Sequence, residues 1–215
     1  MSCYFWRMKI TILCFLILAP QFSYAMFAQL SKKEIRSLIG DFPGKGSIGE
    51  VRDDNILLNY QATRTKADCD LASSQSKFKA EKVFVKPLGP LEEDEFEDVE
   101  HKVLKLTAKV GLNVLRAKNM YERPRPFVRN PQIHPCIALE SSSSYPSGHT
   151  ATGRAIGLYL AEKYPDRAEE ILKLADQVGE NRMIGGVHHP SDVTAGRKIG
   201  DEIFRRDYLE KLLED

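Results

Sequence analysis

The most constraining feature of the chain is a run of apolar residues at helical spacing between Leu91 and Ala117, comprising Phe96, Val99, Val103, Leu104, Leu106, Val110, Leu112 and Leu115. Residues three and four apart share a helix face, so the pattern predicts one long core helix that needs partners. The rest of the chain supplies elements of the same kind. Ser31 with Glu34 forms a capping box ahead of Ile35, Leu38 and Ile39, and Gly40 follows as a stop. A second clear helix is expected from Thr150 to Tyr164, ended by Pro165. Asp166 with Glu169 should cap a third, carrying Ile171, Leu172, Leu174, Ala175 and Val178. After Gly185-Gly186, Pro190 suits the first turn of a last helix with Val193, Ile199, Ile203, Phe204 and Leu209. Weaker helical stretches lie around Asp54 to Thr65 and Cys69 to Val83. No run alternates as strands do and no repeat is present, so the expected fold is an all-α bundle. The Pro- and Ser-rich stretch after Pro126, up to Ser144, reads as a linker or as the lip of a pocket.

The chain opens with Arg7 and Lys9 before an apolar run from Ile10 to Leu18, followed by Ser23-Tyr24-Ala25. This is the pattern of a secretory signal peptide, and the run falls short of the ~20 residues a bilayer-spanning helix needs. The expected organisation is a signal peptide over residues 1–25 and a single helical domain over 26–215, periplasmic or secreted, with no stable membrane anchor after cleavage. The leader holds two basic residues and no acid, so its removal turns the formal charge of +1 into −1. Such a balance gives no electrostatic reason to expect nucleic acid as a partner. Cleavage also leaves Cys69 and Cys136 as the two remaining cysteines, and a bridge between them is favoured over two free thiols in an oxidising compartment.

Three clusters carry the chemistry. Lys118 and Arg125, seven residues apart and ahead of Pro126, can address one anion, Arg as a fork and Lys as a point charge. Taken alone, Lys118, Arg123 and Arg129 read equally well as a surface basic patch. In Ser144-Tyr145-Pro146-Ser147-Gly148-His149-Thr150, Gly148 allows close backbone approach, and Ser147 leads into a helix N-terminus. The alternative is a plain helix cap with His149 in solvent. The third cluster is Arg182, His188 and Asp192. In a helix begun at Gly186, His188 and Asp192 would lie one turn apart, where the carboxylate could hold one ring nitrogen and leave the other free to attack. Three cations around this set suit an anion rather than a metal ion.

Together, Lys118-x6-Arg125-Pro126, Pro146-Ser147-Gly148-His149 and Arg182-x5-His188-x3-Asp192 resemble the three-part signature of the type 2 phosphatidic acid phosphatase and vanadium haloperoxidase superfamily. Ser-Tyr-Pro-Ser-Gly-His-Thr is similar to its bacterial class A non-specific acid phosphatases, as are Tyr60-Gln61, Arg64-Thr65 and Asp68-Cys69 further upstream. The resemblance implies an all-α bundle of the acid phosphatase and vanadium haloperoxidase type. It also implies broad phosphomonoester hydrolysis through a covalent phosphohistidine, without metal or other cofactor. Carried over by motif position, His188 is the nucleophile, Asp192 its orienting partner and His149 the general acid, while Lys118, Arg125, Ser147, Gly148 and Arg182 hold phosphoryl oxygens. The same resemblance implies small phosphorylated substrates and makes a homo-oligomer reasonable, while the residues themselves leave the oligomeric state open. An unperturbed histidine titrates near ~6.5, which predicts an acid optimum. Two positions depart from the pattern: Asn181 stands where Ser is common, and His189 where an aromatic residue is usual. The rival readings are haloperoxidase chemistry and a silent phosphate binder, but a binder has no need of both His149 and the His188/Asp192 pair.

Overall fold

The computed structural model describes residues 29–89 and 92–214, and every regular element among them is helical. Residues 1–25, expected to be a signal peptide, lie outside the described residues. In chain order the helices are α1 (Lys32–Ile39), α2 (Ile48–Thr63), α3 (Lys66–Ser74), α4 (Ala80–Leu88), α5 (Glu93–Tyr121), α6 (Pro126–Arg129), α7 (Gly148–Lys163), α8 (Ala168–Ile184) and α9 (Pro190–Glu214). A 3₁₀ turn over Pro165–Arg167 joins α7 to α8. Ser31 and Glu34 cap α1 reciprocally, and Gly40 ends it at φ 66°. Thr65 and Asp68 cap α3 in the same way.

The central element is α7, which packs on α5, α8 and α9. Its Ala151, Gly153, Ala155, Ile156, Gly157, Tyr159 and Leu160 are all buried, as a helix enclosed on several sides requires. Small residues let α9 come close. A Cβ at Gly196 would lie 2.5 Å from the Ser147 carbonyl oxygen, and one at Gly200 2.6 Å from that of Ala151. This contact seats the start of α9 beside the start of α7, where the Ser147 N–H donates to the Asp192 carbonyl at 3.0 Å.

Several expectations need correction. Only one face of α5 is core: Val99, Leu106, Val110, Val114 and Ala117 are buried, whereas Phe96, Leu104, Leu112 and Leu115 are exposed. The apolar residues of this helix occupy two faces, and α1, α7 and α9 cover only one of them. Two of its lysines tie it to α9: Lys102 and Lys109 reach Asp207 at 2.6 and 2.9 Å, and Lys109 reaches Glu210 at 2.6 Å. The stretch from Cys69 to Val83 is two helices, broken between Ser74 and Ala80. Asp166 and Glu169 form no capping box. Pro165 fixes the backbone of a 3₁₀ turn that takes in Asp166, and α8 starts at Ala168 with no side-chain cap.

Two devices fasten the loop between α6 and α7. The Cys69–Cys136 disulfide, with Cα atoms 5.8 Å apart, ties it to α3. The C-terminal end of α2 clamps it as well: Arg64 donates to the carbonyls of Ile184 and His134 at 2.7 and 2.5 Å, and Gln61 bonds Gln132 and His134. The loop is therefore an ordered segment held against the helices and not a flexible linker.

Candidate active site

The close α7–α9 contact brings the three sequence clusters to one place. α9 opens at Pro190 as expected, so His188 precedes it and the pair does not share a helix begun at Gly186. Gly186, at φ 75°, turns the chain instead, and Asp192 in the first turn of α9 faces back to the histidine. His188 Nδ1 donates to Asp192 Oδ2 at 3.2 Å, which fixes the tautomer with a lone pair on Nε2. Both residues are buried. Burial, with Arg125 and Lys118 nearby, holds His188 down at about 3, so its ring is neutral. The two histidines and Arg123 keep Asp192 ionised in spite of its burial, well below the usual carboxylate range.

Asp192 is the hub of a buried network. His189 donates to Oδ2 from its backbone N–H at 2.8 Å and from Nδ1 at 3.1 Å, while Arg123 donates to Oδ1 at 2.6 Å. Arg123 continues to Asp53 at 3.0 Å and lies over the Phe42 ring. Arg129 Nε donates to His189 Nε2 at 3.3 Å and pairs with Glu50 and Asp54. The acceptor at Nε2 places the His189 proton on Nδ1, facing Asp192. Arg123 and Arg129 therefore form no surface basic patch. Asp53 belongs to no motif of the sequence, and it reaches this network from a helix some 70 residues upstream of Arg123.

The Ser147 segment does lead into a helix N-terminus. Ser147 is the N-cap of α7, and its hydroxyl accepts from the Thr150 hydroxyl at 2.8 Å and the Thr150 N–H at 3.4 Å. Its own O–H remains to donate. The N–H groups of Gly148 and His149 in the first turn have no acceptor within the helix, so they add to the positive end of the dipole. Gly148 sits tight, with a Cβ there meeting Val114 at 3.3 Å. His149 is not in solvent. Its Nε2 donates to the Ser76 carbonyl at 3.0 Å, and its ring meets Phe78 edge-on, so the α3–α4 connection walls the site. A proton taken up by His149 would sit on Nδ1. Burial and the Arg182 charge push this histidine down to about 4, so the unperturbed value near 6.5 does not apply.

The three cations surround the His188 edge of the site. Lys118 donates to the Ser143 carbonyl, and burial together with Arg125 pushes it down to about 8. Arg125 bonds the Ser142 carbonyl from Nε (2.8 Å), and the Val187 carbonyl (2.9 Å) and His188 Nε2 (3.0 Å) from one terminal nitrogen. Its other terminal nitrogen bonds Glu140 (2.6 Å) and Ser142 Oγ (3.1 Å). Arg182 is fully buried; it pairs with Glu140 through one terminal nitrogen, while its Nε and other terminal nitrogen find no protein acceptor. Glu140 is a site residue that sequence reasoning missed, since a single Glu in a loop belongs to no motif. Asn181 bonds Gln75 at 2.9 Å and Gln177 at 3.0 Å, which accounts for its buried amide. Among the described residues no group of three or more His, Cys, Asp and Glu side chains is arranged to hold a metal ion. Nor, among them, is any helix long and apolar enough to cross a membrane.

A helical bundle with a histidine and a carboxylate set among buried cations at a helix N-terminus defines a class, and residues 103–201 match the PAP2 superfamily model. The matched stretch of the chain is similar to that superfamily. Within that class it is similar to the non-specific acid phosphatase of Salmonella typhimurium, 43% identical over 94 residues. It is also similar to the acid phosphatase of Zymomonas mobilis, 42% identical over 106 residues. These matches span 42% and 43% of this chain but only 38% and 40% of those proteins. The fold is shared with a transmembrane PAP2-type phosphatidylglycerolphosphate phosphatase from Bacillus subtilis. That match has a TM-score of 0.57 and 18% identity over 90% of this chain and 95% of the other. A bacterial vanadium-dependent iodoperoxidase aligns with a TM-score of 0.58 and 14% identity, over 76% of this chain and 50% of that one.

Proposed function

We propose that the chain is an exported acid phosphatase that hydrolyses phosphate monoesters through a phosphohistidine on His188, without a metal ion. The observation that carries the reading is the His188 tautomer: Asp192 holds Nδ1, and the unprotonated Nε2 faces a site ringed by Arg125, Arg182 and Lys118. A phosphoryl group bound to these cations, to the Ser147 hydroxyl and to the N–H groups of Gly148 and His149 has its negative charge offset throughout the transfer. The Nε2 lone pair attacks phosphorus while the ester P–O bond breaks, and the Nδ1 proton of His149 goes to the departing alkoxide. In the second half, His149 takes a proton from water as its oxygen attacks phosphorus, the N–P bond breaks, and inorganic phosphate leaves.

The low His149 value belongs to the site without substrate. A phosphate dianion beside Arg182 opposes the charge that depresses this histidine, so substrate binding raises its proton affinity and restores an acid at mildly acid pH. Export is supported by the leader pattern, and the Cys69–Cys136 bridge suits an oxidising compartment. Intact-mass measurement tests the mechanism: His149→Ala mixed with a phosphomonoester and quenched in alkali should gain one phosphoryl group. The same gain in His149→Ala/His188→Ala would refute it.

A further inference from the structure

Glu140 sits where the proposed reaction places an anion. Its carboxylate bridges two buried guanidinium groups, Arg125 at 2.6 Å and Arg182 through a shorter contact. The neighbouring arginines and histidines hold it down at about 2 in spite of its burial, so it is ionised at mildly acid pH. Arg125 has no donor to spare. Its five N–H groups go to the Ser142 carbonyl, the Val187 carbonyl, His188 Nε2, Glu140 and Ser142 Oγ. The bond to His188 Nε2 also occupies the lone pair that would attack. Arg182, by contrast, keeps two buried nitrogens without a protein acceptor, beside the nitrogen that Glu140 holds. The carboxylate thus satisfies part of a site whose donors outnumber it.

The chain around Glu140 is built to let go. Ile137 is buried in a small cluster with Ala72 and Val187, next to the disulfide at Cys136. Ser144 is pinned by its N–H to the Arg123 carbonyl at 2.8 Å and by its hydroxyl to the Pro124 carbonyl at 3.1 Å. Between these anchors residues 138–142 have no regular structure, Leu139 is exposed, and the Glu140 side chain keeps 28% of its surface accessible. The carboxylate can therefore turn to solvent without unseating either anchor.

We infer that Glu140 is a tethered competitor for the phosphate seat, which holds Arg125 across His188 Nε2 until a substrate phosphoryl group displaces it. This rests on the phosphatase reading for the identity of the incoming anion, and it adds a resting state that lowers apparent phosphate affinity by the fraction of molecules in which the seat is closed. A carboxylate on two guanidinium groups is a charge-assisted pair, strong enough to keep most molecules closed.

The test is calorimetric titration of the full chain with inorganic phosphate, comparing wild type with Glu140→Gln and Glu140→Asp. Gln keeps the shape without the charge, and Asp keeps the charge but shortens the reach. Both variants should bind phosphate about ten-fold more tightly than wild type. Unchanged affinity would overturn the inference, and so would weaker binding, which would make Glu140 a scaffold for the arginines. Melting temperatures within a few degrees of wild type establish that the variants are folded. Ester hydrolysis in the same samples reports separately on the phosphatase reading. Tight phosphate binding by the variants without turnover in any sample would remove that reading and leave the competitor in place. Absence of phosphate binding by all three proteins would remove both.

Discussion

At the scale of single residues, the site turns on one carboxylate oxygen. Asp192 Oδ2 accepts from His188 Nδ1 and from two donors of His189, so any change there reaches His188, the proposed nucleophile. Asp192→Asn should lower kcat by about 10⁴-fold, as loss of an orienting carboxylate does in a Ser-His-Asp triad. It should also cost about 3–5 kcal/mol in denaturant unfolding, because Arg123 loses half of a buried ion pair. His189 acts through Asp192 and is a positioning residue. His189→Phe, which removes the ring donor to Asp192, should lower kcat about ten-fold with KM little changed, and His189→Gln should recover part of the loss. A rise in KM with kcat intact would contradict that role. The residues with chemistry in their side chains were legible because their spacing repeats a known signature. Glu140 and Asp53 were not, since each is a lone acid whose partners come from remote parts of the chain.

At the scale of elements, the geometry depends on how closely α9 approaches α7. Gly196→Ala would place a methyl group 2.5 Å from the Ser147 carbonyl oxygen, in a contact with no flexible side chain to yield. It should destabilise the protein by about 1–3 kcal/mol and lower activity with it, because the same contact seats Ser147 beside Asp192. Gly111→Ala on the exposed side of α5 meets nothing within 4 Å and should instead raise stability by about 0.5–1 kcal/mol. Thermal unfolding of the two variants checks both signs. Helix existence was readable from periodicity and caps, as Ser31 with Glu34 shows. Helix faces were less so: Leu104, Leu112 and Leu115 fit a helical period as well as Leu106 and Val110 do, and only the placement of α7 and α9 decides which side is core. The start of α9 was legible, since Pro190 opens it as expected; the turn at Gly186 was not, and it lets His188 meet Asp192 from outside the helix.

For the whole molecule, the buried ionisable groups make stability depend on pH in one direction. His188 and His149 have folded-state values of about 3 and about 4, below their unfolded value, so the unfolded chain binds more protons between there and about 6.5. Asp192 and Glu140 are depressed too and lose their contribution as pH falls further. Melting temperature should therefore fall steadily on acidification from about pH 6.5 towards 4, and added inorganic phosphate should offset the fall by binding the folded state alone. A melting temperature that rises over that range would contradict the burial assigned to these histidines. The central claim concerns chemistry, and hydrolysis of a chromogenic phosphomonoester at mildly acid pH with excess chelator tests it most directly. Activity should survive the chelator in wild type, persist at a reduced level in His189→Ala and vanish in His188→Ala. Loss of activity on chelation, or retention of it in His188→Ala, would contradict the account.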